Sequence, residues 1–314
     1  MDNNIKVSVI IPFYNRVDWL EEAVISVLNQ SYNNIEIIVV NDGSYEDLSG
    51  FLSIYGDKIF YVYKQNEGPG AARNRGIEIA TGDFIAFLDS DDIWEPDKTE
   101  KQLHYMLANN YVWSHTGGMY FQDGCILRQK PFDFHNNSAW VARRSLVSMQ
   151  IATPSVMIRA DILKQNKNLR FNVTMRYSQD TFFYQLMAQY YELGYLNEKM
   201  VLIRLRDSAK EIHKKNANKR YRIRFSGRKI LFDFIKSIDN DVINSVPLYV
   251  QLLLKQYALG NSFFCYLEHK NYSAYFIELL AKILFAYLFV LGRIYIYIND
   301  YIYNMESVDS ITKD

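Results

Sequence analysis

Four short apolar runs recur through the first ninety residues: VSVIIPF (7–13), IEIIVV (35–40), IFYVYK (59–64) and FIAFL (84–88). Runs this brief read as strands, and the first, β-branched and without polar alternation, as one buried on both faces. Helical segments separate them. Residues 18–29 set Trp19, Leu20, Ala23, Val24, Val27 and Leu28 on one helical face, and a weaker helical stretch covers 46–54. Gly68-Pro69 opens a third helix that closes before Gly82, and Pro96 opens a fourth that runs to about Asn109. Proline suits a first helical turn, where its missing N–H is not needed. Strands and helices alternating at this spacing require parallel strands with helices on both faces. The fold class is therefore α/β.

Beyond Tyr111 the rhythm changes. GMYFQ and CILRQ flank Asp123-Gly124, a two-residue hairpin signal. An aromatic loop (131–140) leads to a helical piece near 143–150, a strand SVMIRA (155–160) and a helix DTFFYQLMAQYYEL (180–193) with an aromatic face. At 49% hydrophobic and 22% charged residues the chain is of ordinary globular composition. Lys+Arg and Asp+Glu balance at 35 each, so net charge indicates no partner. Cys125 and Cys265 form no metal or redox spacing and suggest a reducing compartment. The N-terminal MDNNIKVSVIIPFYN has no basic region followed by a long apolar stretch, so no secretory signal is read there.

In an open parallel sheet, ligands bind beyond the carboxyl ends of the strands. Four stretches fall at such ends: PFYN (12–15), NDGS (41–44), the loop Asn66–Gly76 and DSDD (89–92). In the last, Asp89, Asp91 and Asp92 crowd like charges that call for a positive counterpart. A D-x-D pair of hard oxygen ligands suits Mg²⁺ or Mn²⁺ shared with substrate phosphates, whereas the bland alternative is a solvated loop with Asp92 capping a later helix. Asp42 serves either turn chemistry or a hydrogen bond from a ligand's N–H. The 66–76 loop allows close backbone approach, with Arg73 and Arg75 offering planar donors to a base or phosphate. It matches neither a Walker A nor a G-x-G-x-x-G sequence. Read locally, Asp180 is a first-turn acid favoured by the helix dipole.

Taken together, VSVIIPFYN, VVNDGS, NEGPGAARNRG and FIAFLDSDDIW resemble the family 2 glycosyltransferases, over roughly residues 7–200. The resemblance implies a GT-A fold: a Rossmann-like, mostly parallel sheet with helices on both faces. It would occupy 1–203, with a nucleotide-binding half (1–112) and an acceptor half (113–203), and 204–314 would form a basic loop and an aromatic-rich helical region. It implies transfer of a single sugar from a nucleotide-diphosphate donor, usually a UDP-sugar, to a hydroxyl of a glycan or lipid-linked acceptor, with inversion. Pro12 and Tyr14 would line the nucleotide pocket and Asp42 would bind the base with Arg73 beside it. Asp89 would contact ribose or metal, Ser90 would belong to the same donor site, and Asp91 would be the main ligand of Mn²⁺ or Mg²⁺. Asp180 would be the general base, although Gln179 stands where the family has a glutamate. No tryptophan follows an arginine, so the processive Gln-x-x-Arg-Trp motif is absent. Two other readings were weighed: a membrane-associated scaffold with a degenerate site, and a sugar nucleotidyltransferase, which would need a Gly/Arg/Lys-rich loop where PFYNR stands.

Residues 204–229 carry eleven Lys/Arg against two acids. A solvated surface, attraction to anionic lipid headgroups and, with no supporting motif, RNA binding compete for this run. The apolar segment 274–298 is interrupted by Glu278, Lys282 and Arg293 and is too short between charges to span a bilayer. Peripheral attachment through 204–303, at the inner face of a cytoplasmic membrane, is the favoured expectation over a buried helix pair, and no nucleic-acid partner is expected.

Overall fold

The computed structural model describes residues 4–122, 125–126, 141, 151–175 and 179–206, with isolated positions between 283 and 291. The chain divides into two compact units, the first made of Met1–Val141 with Gln150–Arg206 and the second of Ala142–Met149 with Asp207–Asp314. The first unit carries the site. The aromatic loop 131–140, the helical piece near 143–150, residues 207–229 of the basic run and nearly all of the apolar tail lie outside the described residues.

Four parallel strands form the heart of the sheet: β1 (Val7–Phe13), β2 (Ile35–Asp42), β3 (Phe60–Lys64) and β4 (Phe84–Phe87). They are ordered β3-β2-β1-β4. Every residue of β1 is buried, as a run without polar alternation requires. Helix α1 (Val17–Leu28) buries Leu20, Ala23, Val24, Ser26 and Val27. Leu28 is exposed, and Trp19 is half-buried beneath three arginines, so the apolar face is narrower than the sequence reading. Helices α2 (Ser49–Tyr55), α3 (Pro69–Ile79) and α4 (Lys98–Asn109) complete the alternation, α3 beginning at the expected proline. At Gly76 a side chain would strike Ile10, so glycine lets α3 lie directly on β1.

The sheet continues past β4 as a mixed half. Strand β8 (Met157–Arg159) runs antiparallel to β4 and to β6 (Trp113–Gln122), and β9 (Leu193–Arg204) is parallel to β6. Two-residue β5 (Ile93–Trp94) pairs antiparallel with β9. The pairs Phe121↔Ile126 and Gln122↔Cys125, between β6 and β7 (Cys125–Ile126), fit the two-residue hairpin turn. Short α5 (Ala160–Gln165) follows β8. Helix α6 (Gln179–Tyr190) stops before the expected residue 193, because Leu193 opens β9 instead. Its Phe183 stacks on Phe171 (4.4 Å) and Tyr184 on Trp113 (6.1 Å), an aromatic layer that meets Phe87 at the end of β4.

One core residue breaks the usual rule. Lys98, in the first turn of α4, is fully buried without a hydrogen-bond partner, its amine 3.5 Å over the Trp94 ring. Burial pushes that amine well below its ordinary pKa. The ring face accepts an N–H from a neutral amine as well as a cation. The folded chain holds this proton less readily than the unfolded chain, so stability increases with pH through the window that ends at the unfolded lysine value of about 10.4. Lys98→Met is expected to raise stability at neutral pH by about 1–3 kcal/mol and to flatten that rise, as read by urea denaturation from pH 7 to 10.

Candidate functional site

Strand β1 contains a proline, which a central strand ordinarily excludes for want of an N–H. Its pairing with β4 ends at Ile10↔Phe87, and the last bond across runs from Leu88 N–H to the Ile10 carbonyl. Pro12 lies past that point, where β4 has already turned away. The two strands diverge where the order reverses from β1-β2 to β1-β4, the switch point at which doubly wound sheets bind ligands. An open cleft of about 410 Å³ lies there.

Pro12, Tyr14, Asp42, Arg73, Asp89, Ser90 and Asp91 all line this cleft, together with Phe13, Asn15, Asn66, Gly68, Pro69 and Arg206. Asp180 is not among its walls. Nor is Arg75, whose exposed side chain pairs with Glu78 along α3. At helix spacing, two residues past Arg73 is another face.

Asp42 does more than turn the chain. Its Oδ1 accepts from Lys64 Nζ (2.8 Å) and the Glu67 N–H (3.1 Å), and its Oδ2 from the Gly68 N–H (2.8 Å). One carboxylate thus ties β2 to the end of β3 and to the loop that opens α3. The Glu67 and Gly68 amides of that loop are thereby occupied. A carboxylate has about four acceptor positions, so Oδ2 keeps room for an N–H from the cleft.

The acidic loop is neutralised from both sides. Arg73, buried in α3, reaches Asp89 Oδ1 at 2.5 Å and lies 5.3 Å over the Phe171 ring. Burial works against its charge, and Asp89, Tyr184 and Asp180 more than compensate, so its pKa is raised. Arg206 Nη2 meets Asp91 Oδ2 at 2.6 Å, and Arg204 Nε–H donates to the Asp91 carbonyl at 3.0 Å. Burial, then Asp89, raises the Asp91 carboxyl against the pull of Arg206. Asp92 is buried and receives the Arg204 backbone N–H at 2.9 Å. It caps no helix: α4 starts at Lys98 without a side-chain cap, and burial together with Asp91 and Asp89 raises Asp92 well above the usual carboxylate range.

Asp180 opens α6, its Oδ1 accepting the Thr181 N–H at 2.7 Å. The adjoining Gln179 is buried against Gly70, where a side chain would collide with it, so α6 abuts the start of α3. From that position Asp180 acts electrostatically on Arg73 and Tyr184. Arg206 is the wall residue that local sequence reading left without a role. The signal for it was the basic run beginning at 204, directly after a strand.

Among the described residues no three carboxylates, imidazoles or thiols are grouped to hold a metal ion by themselves. A cation here would take protein ligands from Asp91 and Asp89 alone and complete its sphere with ligand oxygens, as Mg²⁺ and Mn²⁺ do with phosphates. The residues fit such a group. Both carboxylates face the cleft, and each already draws a guanidinium.

A parallel half, its sheet continued by a mixed half, with an acidic loop after the fourth strand, defines a GT-A fold. Crystal structures of S. aureus TarS share it. TarS 1–349 in complex with UDP-GlcNAc has a TM-score of 0.55 at 20% identity and covers 82% of this chain and 80% of that one. A longer TarS structure has a TM-score of 0.57 at 18% identity, covering 82% and 44%. The chain belongs to glycosyl transferase family 2, whose model matches residues 8–164. An uncharacterized glycosyltransferase of Rickettsia felis is 37% identical over 203 residues, 64% of this chain and 33% of that protein. Glycosyltransferase GlyA of Streptococcus pneumoniae is 31% identical over 237 residues, 70% of this chain and 31% of that protein. The chain thus spans about a third of the length of these two relatives.

Because Asp42 is a tether as well as a wall, Asp42→Asn is expected to lower stability without any ligand. The amide keeps the shape but gives up one acceptor oxygen and the charge facing Lys64. A loss of about 1–3 kcal/mol is expected in urea denaturation of the nucleotide-free protein.

Proposed function

We propose that the chain is an inverting glycosyltransferase that moves a single sugar from a nucleoside diphosphate donor, UDP by preference, to a hydroxyl of a glycan or lipid-linked acceptor. The observation that carries this reading is the convergence of Asp42, Arg73, Asp89 and Asp91 on one cleft at the switch point of the sheet. An acceptor carboxylate at Asp42 suits a base with a ring N–H, which uracil, thymine and guanine have and cytosine lacks. Uridine is preferred by analogy with the UDP-GlcNAc held by TarS. Pro12 and Tyr14 flank the base, Asp89 and Ser90 face the ribose and diphosphate, and Asp91 is the protein ligand of Mn²⁺ or Mg²⁺. When bound, that cation supplies Lewis-acid stabilisation to the departing β-phosphate.

Asp180 is the base in this reading. It takes the proton of the acceptor hydroxyl as that oxygen bonds to the anomeric carbon from the face opposite the diphosphate, and the bond from that carbon to the β-phosphate oxygen breaks. Arg73, paired with Asp89, also feels the charge of Asp180. Domain boundaries near 203 and membrane contact through 204–303 belong to the same proposal. Among the described residues no helix is long and apolar enough to cross a membrane.

The test is thermal melting with UDP, GDP, CDP or dTDP, each with Mn²⁺ or with chelator. UDP with Mn²⁺ at a hundred times its Kd should stabilise by about 2.7 kcal/mol, and chelator should remove most of the gain. Asp180→Asn should keep that shift while turnover drops by about 10²–10⁴-fold. No shift with any nucleotide, from protein that melts cooperatively, would sink the reading.

A further inference from the structure

Two arginines leave the end of β9 one residue apart, and the structure treats them differently. Arg204 is fixed. Its side chain is 7% exposed, its Nη2 meets Glu22 Oε2 at 2.6 Å, its Nε–H holds the Asp91 carbonyl, and its guanidinium lies 4.4 Å from the Phe121 ring centroid. Arg206 is 44% exposed and lines the cleft. Its Nε and Nη2 both converge on one oxygen, Oδ2 of Asp91, at 2.7 and 2.6 Å, with the Trp19 ring 5.3 Å away. The main chain at Asp91 is therefore held by an immobile arginine and its carboxylate by a half-exposed one.

We propose that Arg206 is an exchangeable counter-ion. In the ligand-free protein it occupies the Asp91 oxygen that a divalent cation takes, and it moves onto the diphosphate when cation and nucleotide arrive together. This inference rests on the metal-and-diphosphate reading above and extends it. A guanidinium and a divalent cation on one carboxylate repel each other, so Arg206 and the cation compete for Asp91. A cation arriving alone works against Arg206 with no new anion to receive it. Arriving with a diphosphate, it brings acceptor oxygens that a planar guanidinium can grip in a bidentate pair. Metal and nucleotide then bind cooperatively, and Arg206 is the residue through which each senses the other. The anchored Arg204 keeps the Asp91 backbone in place through the exchange, and the Trp19 face gives the displaced guanidinium a surface to slide along.

The test is a titration of the full chain with Mn²⁺, free Mn²⁺ being read by electron paramagnetic resonance, with and without UDP. In the parent protein Mn²⁺ alone should bind weakly and UDP should tighten it. Arg206→Gln should bind Mn²⁺ alone about 3–10-fold more tightly, since the competing cation is gone. It should also lose a similar factor from the enhancement by UDP. Asp91→Asn should abolish Mn²⁺ binding by the protein in both conditions, leaving the free-Mn²⁺ signal equal to that of the matching protein-free titration. If Arg206→Gln, melting like the parent, binds Mn²⁺ alone no better while UDP still enhances the parent, the exchange is overturned and the donor-site reading stands. If the parent binds no Mn²⁺ even with UDP, the metal reading fails and the exchange falls with it.

Discussion

Negative charge held at the end of a buried strand organises the rest of this site. Asp89, Asp91 and Asp92 follow β4 in four consecutive positions, and Asp92 is wholly inside. Such a cluster is tolerated because positive or N–H partners arrive from other elements: Arg73 from α3, and Arg204 and Arg206 from the end of β9. This is why the mixed half of the sheet matters to the parallel half. Without β9 the loop would lack the groups that hold two of its three carboxylates. The cleft is therefore built by residues more than a hundred positions apart.

Much of this was legible in the chain itself. The strands β1 to β4 announce themselves because each is short and apolar, and α3 because Gly68-Pro69 marks its first turn. Harder to read was β9. Its central Asn197-Glu198-Lys199 interrupts any strand pattern, and the strand is held there by a long parallel pairing with β6 that local sequence does not encode. With β9 unseen, β5 was unseen too, since two residues become a strand only beside a partner. Lys98 was equally opaque, because a lysine in a first helical turn reads as solvent-facing and only the packing of Trp94 against α4 shows otherwise.

At the site, sequence pattern identified the residues better than their bonds. The cleft collects Asp42, Arg73, Asp89 and Asp91 as adjacent strand ends require, yet neither local alternative for Asp42 foresaw its grip on Lys64 and on the Glu67 and Gly68 amides. Hydrogen bonds between a strand end and a loop over twenty residues away depend on loop conformation, which composition does not determine. Gln179 illustrates the same limit. It reads as a lost acid, and in the fold it is a buried contact between two helix starts.

Pro12 carries one more consequence. Its ring leaves no N–H at the next β1 position that would face β4, so the ladder past Ile10↔Phe87 lacks that hydrogen bond whatever the state of the site. That missing donor is written into a covalent ring, which neither a ligand nor a domain motion alters. A ligand entering the cleft has no hydrogen bond to break at that rung, and the free energy of its contacts is not spent there.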